Sequence, residues 1–253
     1  GYRYGPEAAK EAFNFDETYP VTQLDEILPT LLADQPVIYT ALGHDSSWDQ
    51  RIIGWMNQVR DQIRTGVTAP EKITDCRVIL DEMRLIKSSE ELQVMQQAAN
   101  ISVQAHQRAM QITKPDKYEY EIEAELLYTF NRLGARFPAY TSIVAGGANA
   151  CVLHYVENTA ELKSGDLLLI DAGCELHGYA SDITRTFPIN GKFSAAQKDV
   201  YQLVLNAQAA AIAQVKPGNL WNEPHQAALQ VLAQGFIDLG LCHGSLDAVL
   251  ESE

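Results

Sequence analysis

The run DLLLIDAGCELHGYASDITRTFP, from Asp166 to Pro188, constrains this chain more than any other stretch. Leu167 to Ile170 is a short continuous apolar run, the pattern of a strand buried on both faces, and Tyr179 to Phe187 is again rich in β-branched and aromatic residues. Between them, Glu175-Leu176-His177-Gly178 has the composition of a tight turn, with Gly178 supplying the positive φ that a type I turn followed by a bulge requires. A hairpin is therefore predicted. Folding about that turn brings Asp171 roughly opposite Asp182 on one face, where directly opposed Cβ atoms stand about 4.5–5.5 Å apart. Two ionised carboxylates that close repel, and an apolar strand pair that carries both needs positive charge between them. A divalent cation, or a pair of them, supplies it. Thr184 and Thr186 share the face of Asp182 by the period of two, and Thr184 is placed to hydrogen-bond the ligand oxygens from behind. A plainer reading stands beside this one: an Asp at a strand end often caps a turn, and Asp182 can pair with Arg185 at the surface.

A chain of 253 residues, 46% of them apolar, can bury a sizeable core in one large or two modest domains. Its formal charge of −14 argues against nucleic acid and anionic membrane as partners. No apolar run approaches the roughly 20 residues that span a bilayer, and no signal-peptide pattern opens the chain. The four cysteines, Cys76, Cys151, Cys174 and Cys242, include no C-x-x-C pair, so zinc-finger and redox-motif readings fail and reduced thiols in the cytoplasm are expected. Cys174 reads as a small buried filler rather than a ligand. The opening GYRYGPEAAKEAFNF shows no apolar periodicity and begins without Met, which reads as a fragment.

Along the chain, Thr22 to Ala33 reads as a short helix interrupted by Pro29, Pro36 to Ala41 as a strand, and Ser47 to Thr65 as an amphipathic helix capped by Ser47 and stopped by Gly66. In that helix Ile52, Trp55, Met56 and Val59 form the apolar stripe, and Gly66 to Pro70 reads as a linker. Ser88-Ser89-Glu90-Glu91 is a capping box opening a long helix to about Ile112, with Leu92, Met95, Ala99 and Ala109 on its buried side and His106 as a hydrogen-bonded core residue. A second helix runs from about Glu119 to Leu133, ended by Gly134. Then FPAYTSIVAGG and ACVLHYVEN read as two β-rich runs that fold back across Gly146 to Asn149. Ser194-x-x-Gln197 caps another helix, with Val200, Leu203, Val204, Ala207 and Ala211 as its apolar face, and a further one spans roughly Glu223 to Leu239. His225 and His243 have no carboxylate or cysteine at ligand spacing and read as surface residues.

The run IDAGCELHGYASDITRTFP closely resembles the metal-binding hairpin of the M24 "pita-bread" metallopeptidases, the aminopeptidase P branch above all. DEMRLIKS, from Asp81 to Ser88, is similar to the opening of that family's catalytic domain. The resemblance implies an α+β fold in which residues 84–253 form the first half of the pita-bread domain. Residues 1–83 would be the C-terminal part of an α/β, creatinase-like N-terminal domain. It implies release of the N-terminal residue from peptides with proline second, by a two-metal, bridging-hydroxide mechanism. Asp171 and Asp182 would supply two of five metal ligands, the others being a histidine and two glutamates from the second half, and carboxylate-rich ligation favours two Mn²⁺ ions. His154, in the run LHYVEN, would hydrogen-bond substrate near the scissile bond, and Tyr140 would line the substrate pocket. Proline-containing peptides and a homo-oligomer are the implied partners. The later ligand motifs of the family have no match after Asp182, so this chain alone is expected to bind metal weakly and not to hydrolyse peptides. Two rivals stay open: a prolidase, which shares the hairpin, and a non-catalytic pita-bread module that binds proteins. The H-Y-V-E-N and E-M-R-L-I-K-S runs favour aminopeptidase P over the first, and retention of both aspartates weighs against the second.

Overall fold

The computed structural model describes residues 3–251. Its chain divides into two compact units, one ending at Ser88 and the other beginning at Ser89. The division falls slightly later than the predicted 83/84 boundary, because a helix runs through that position.

The first unit holds helices α1 (Gly5–Phe13) and α2 (Leu24–Leu32), strand β1 (Val37–Thr40), helix α3 (Ser46–Arg60), strand β2 (Lys72–Asp75) and helix α4 (Cys76–Leu85). β1 and β2 pair in parallel, Val37 with Lys72 through Thr40 with Asp75. The expected stripe of α3 is real: Ile52, Trp55 and Met56 are buried and pack against Leu24, Leu28, Leu32, Ile38 and Ile73. Its cap is Asp45, whose carboxylate accepts from the amides of Ser47 and Trp48, and not Ser47 as predicted. A charged acceptor satisfies two orphan amides better than a hydroxyl does. Pro29 lies buried inside α2 without interrupting it. β2 and α4 were not expected, because four residues are too few to show a strand period and α4 begins directly from that strand.

The second unit carries helices α5 (Ser89–Ile112) and α6 (Glu119–Arg132), then strands β3 (Phe137–Pro138) and β4 (Ile143–Gly146), and a 3₁₀ turn over Gly147–Cys151. Strands β5 (Leu167–Ala172), β6 (Cys174–Leu176), β7 (Tyr179–Ala180) and β8 (Ile183–Pro188) follow, then helices α7 (Ala195–Ala213), α8 (Glu223–Asp238) and α9 (Leu246–Leu250). Two three-stranded antiparallel sheets form, β4-β5-β8 and β3-β6-β7, so β5 is the central strand of the first. Ile122, Leu126 and Phe130 of α6 pack with Val144, Leu168, Ile170 and Ala172 of the sheet in one core. α5 reaches that core through Ala98, Ile101, Ala105 and Ala109; of the predicted stripe Ala109 and His106 are buried, Met95 and Ala99 are half-buried, and Leu92 is exposed. Alanines let the helix backbone approach the strands closely, and the larger side chains flank the contact.

ACVLHYVEN forms no strand. In its place the side chain of Asn158 completes the free edge of β4, its Oδ1 accepting from the Val144 amide at 2.9 Å and its Nδ2 donating to the Ser142 carbonyl at 2.9 Å. A buried strand edge left unpaired would cost the full desolvation of those groups, and one amide side chain satisfies both. β6 and β7 join through His177 and Gly178 alone, at φ 51° and 87°, with Leu176 opposite Tyr179. Two central residues at positive φ make a type I′ turn, not the type I turn with bulge predicted from Gly178.

Gly173 separates β5 from β6. A Cβ there would sit 1.6 Å from the Ser181 carbonyl oxygen, so only glycine lets the two strands cross. On α5, His106 is buried at 3% exposure and Nε2 donates to the Ala172 carbonyl at 3.1 Å, while Nδ1 has no partner. A carbonyl only accepts, so the proton sits on Nε2. Burial holds the imidazole pKa below its ordinary range, outweighing the Ala172 bond that pulls it up, and the nearby Arg185 charge lowers it further.

Gly173→Ala is expected to cost at least about 2 kcal/mol of unfolding free energy in urea titrations, because backbone and not a side-chain tip stands in the way; a change within about 0.5 kcal/mol would contradict the close crossing. For His106 the depressed folded pKa means that the unfolded chain binds the extra proton first. Its contribution is present above the ordinary value of about 6.5 and is lost as the pH falls below that toward the folded pKa. Denaturation midpoints measured from pH 7.5 to 5 should decline, and the decline should shrink in His106→Asn.

Candidate metal centre

Asp171 lies near the end of β5 with Ile143 of β4 on one side and Thr184 of β8 on the other. Ala172 pairs with Ile183, and beyond the Gly173 break the same register continues, Glu175 with Ala180. Asp182 is therefore one diagonal step from Asp171, and not directly opposite as the sequence suggested. The cause is the turn: centring it on His177 and Gly178 slides every pairing by two residues. A slip of one would have sent Asp182 to the other face; a slip of two keeps both carboxylates on the same one.

They converge. The Tyr140 hydroxyl lies 2.5 Å from Asp171 Oδ1 and 2.8 Å from Asp182 Oδ1, donating toward both. Tyr140 stands between β3 and β4, and the neighbouring Ala139 amide donates to the Gly173 carbonyl at 2.9 Å, which pins that segment to the hairpin. Burial, with the two carboxylates next in weight, pushes the Tyr140 pKa far above the ordinary phenol range, so the hydroxyl stays protonated and available as a donor. Tyr140, expected to line a substrate pocket, bonds to both aspartates through its hydroxyl.

Neither carboxylate takes part in an ion pair among the described residues. Arg185, the surface partner that the plainer reading offered Asp182, donates to the Thr184 carbonyl at 2.7 Å instead. The pair presents oxygen acceptors around one shared proton, a donor set that suits a hard divalent cation. Among the described residues no third His, Cys, Asp or Glu joins them in a group. Thr184 is exposed and opposite Asp171, yet its side chain bonds to neither carboxylate; it faces, with Thr186, Leu167, Val200 and Val204, a cavity of about 750 Å³. That cavity also explains why Val200 and Val204, expected in the core of α7, are exposed.

The LHYVEN run divides by role. Tyr155 and Asn158 are buried and hydrogen-bonded, while His154 is exposed in the left-handed region at φ 55°. The structure does not bring the His154 side chain into hydrogen bond with Asp171, Asp182 or Tyr140. Two residues were given no role from sequence: Gly173, and Glu119, which opens α6 and is fully buried beneath the 146–160 loop. His225 and His243 are exposed, as expected. Cys174 is buried, all four cysteines are unpaired, and no helix among the described residues is long and apolar enough to cross a membrane.

The chain is similar to known proteins in sequence and in fold. A profile of metallopeptidase family M24 matches residues 93–246. The Xaa-Pro aminopeptidase of Haemophilus influenzae is 44% identical over 253 residues, which is 100% of this chain and 56% of that protein. The structure of the Pseudomonas aeruginosa aminopeptidase PepP superposes with a TM-score of 0.95 at 46% identity, covering 100% of this chain and 57% of that one. Zinc-substituted Escherichia coli aminopeptidase P in complex with product gives a TM-score of 0.94 at 39% identity, with 100% of this chain and 57% of that one covered. The chain thus spans little more than half the length of the relatives it matches, and its α+β fold is the first half of the pita-bread architecture. By profile, by identity along its whole length and by fold, this chain belongs to metallopeptidase family M24.

Proposed function

We propose that Asp171 and Asp182 are two of the metal-binding carboxylates of an Xaa-Pro aminopeptidase, and that the complete gene product removes the N-terminal residue from peptides with proline second. The observation that carries this is the convergence of two carboxylates on one hydroxyl, with no ion pair to either among the described residues. When bound, a divalent pair supplies Lewis acidity toward water and toward a peptide carbonyl. The all-oxygen pair favours Mn²⁺ over softer-ligand metals. Tyr140 keeps the two acceptors at fixed spacing. His154, exposed within an otherwise anchored loop, is the group that contacts substrate near the scissile bond. Relatives that match the whole chain are named for the same activity, which supports the reading over prolidase. Four unpaired thiols suit a reducing, cytoplasmic setting.

With two carboxylates of a binuclear set, the 253-residue chain by itself should bind Mn²⁺ weakly and leave peptides intact. Calorimetric titration showing tight two-site binding, or Xaa-Pro cleavage by this chain, would contradict that. In the complete gene product, Asp182→Asn should abolish turnover, and tripeptides with proline second should be cleaved in preference to Xaa-Pro dipeptides. Preference for the dipeptide would establish the prolidase instead.

A further inference from the structure

We propose that Glu119 is a positioning residue for His154: its buried carboxylate ties together the two ends of the loop that carries this imidazole. The inference rests on the substrate role given to His154 above. Glu119, the first residue of α6, has no exposed surface. Its Oε1 accepts from the Gly146 amide at 2.8 Å and the Asn149 side chain at 3.0 Å. Its Oε2 accepts from the Tyr155 hydroxyl at 2.8 Å and the Ala160 amide at 2.9 Å. The four donors thus come from before, within and after the loop. The Glu119 amide also donates to the Ala160 carbonyl at 3.0 Å, closing the loop's far end against the helix.

A carboxylate is a costly way to fill a core, since an apolar side chain would bear no desolvation penalty. What it adds here is geometry: two oxygens with four lone-pair directions, each met by a donor, at the helix end whose dipole favours negative charge. No Lys, Arg or His pairs with it among the described residues. The beneficiary is legible in the backbone. His154 is a non-glycine residue at φ 55°, a conformation that persists only where its surroundings impose it, and the very next side chain, Tyr155, is the one Glu119 holds. Asn149 braces the same hydroxyl at 3.1 Å. Asn158, the loop's other buried anchor, bonds to β4 and not to Glu119, so the fold does not depend on this carboxylate alone.

The test is Glu119→Gln in the complete gene product, alone and combined with His154→Ala. The amide keeps the shape but turns a donor toward donors. Its kcat/KM should fall by tenfold to a hundredfold, on the order expected when a contacting group is misplaced by about 1 Å. Bound Mn²⁺, measured by elemental analysis, should be unchanged, and the second substitution should add little to the loss from His154→Ala. Full multiplication of the two losses, or wild-type activity in Glu119→Gln, overturns the proposal. Tyr155→Phe, which removes one donor and leaves the carboxylate, should give a smaller loss in the same direction and covers the case in which Glu119→Gln does not fold. Amide hydrogen exchange provides the separate arm: residues 147–160 should exchange faster in Glu119→Gln while β5 keeps its protection. Unaltered exchange overturns the tie. Faster exchange together with a fully active His154→Ala enzyme retains the tie and overturns the substrate role of His154.

Discussion

Two carboxylates held around one phenol hydroxyl are the interaction on which the rest of the second unit depends. Left to themselves, Asp171 and Asp182 would swing apart into water, since like charges in reach of one another gain nothing by staying close. What prevents this is strand hydrogen bonding and sterics. β5 is pinned on both sides, by β4 and β8, so Asp171 cannot leave its row. Gly173 admits the Ser181 carbonyl into the space a side chain would occupy, which fixes where the returning strand crosses and therefore where Asp182 stands, just before β8. Tyr140 then offers the one proton available between them. The backbone thus holds two carboxylates together around one phenol hydroxyl.

Polar groups, not apolar ones, shape the surroundings of that pair. His106 supports the Ala172 carbonyl from α5, Asn158 completes the open edge of β4, and Ser102 and Ser181 share a 2.7 Å hydrogen bond while both accept from the Cys174 amide. Each replaces a missing ladder partner where the two small sheets part company. A larger regular sheet would satisfy these groups by itself but could not place two strand ends and a loop around one point. Irregular backbone of this kind leaves amides and carbonyls in need of partners, and here side chains provide them for Ser142, Val144, Ala172 and Cys174.

The helices and the aspartate pair could be read from the sequence, because caps, apolar periods and a hydrophobic strand carrying acids are local signals. Ser194 with Gln197, Gly134, and the stripe from Ile52 to Val59 all stand where their chemistry put them. The register could not be read. It turns on His177 taking positive φ, a choice that nothing in a histidine announces, and a two-residue slip leaves the alternation pattern unchanged. The hydrogen-bond partners of Tyr140 and Glu119 could not be read for a different reason. Their partners lie 31 to 42 and 27 to 41 residues away in sequence, so their roles exist only in three dimensions. For α5, the predicted stripe caught Ala109 but took the larger Leu92, which is exposed, in place of Ala98 and Ala105, which are buried.

On the proposed reading, the carboxyls of Asp171 and Asp182 converge in order to share a cation. The decisive experiment is anomalous diffraction from crystals of the complete gene product grown with Mn²⁺. Anomalous density should lie bonded to oxygens of both aspartates, on the side of the hairpin that Tyr140 faces. Density at some other place on the molecule, or these two carboxyls turned away from each other with no peak between them, would contradict it.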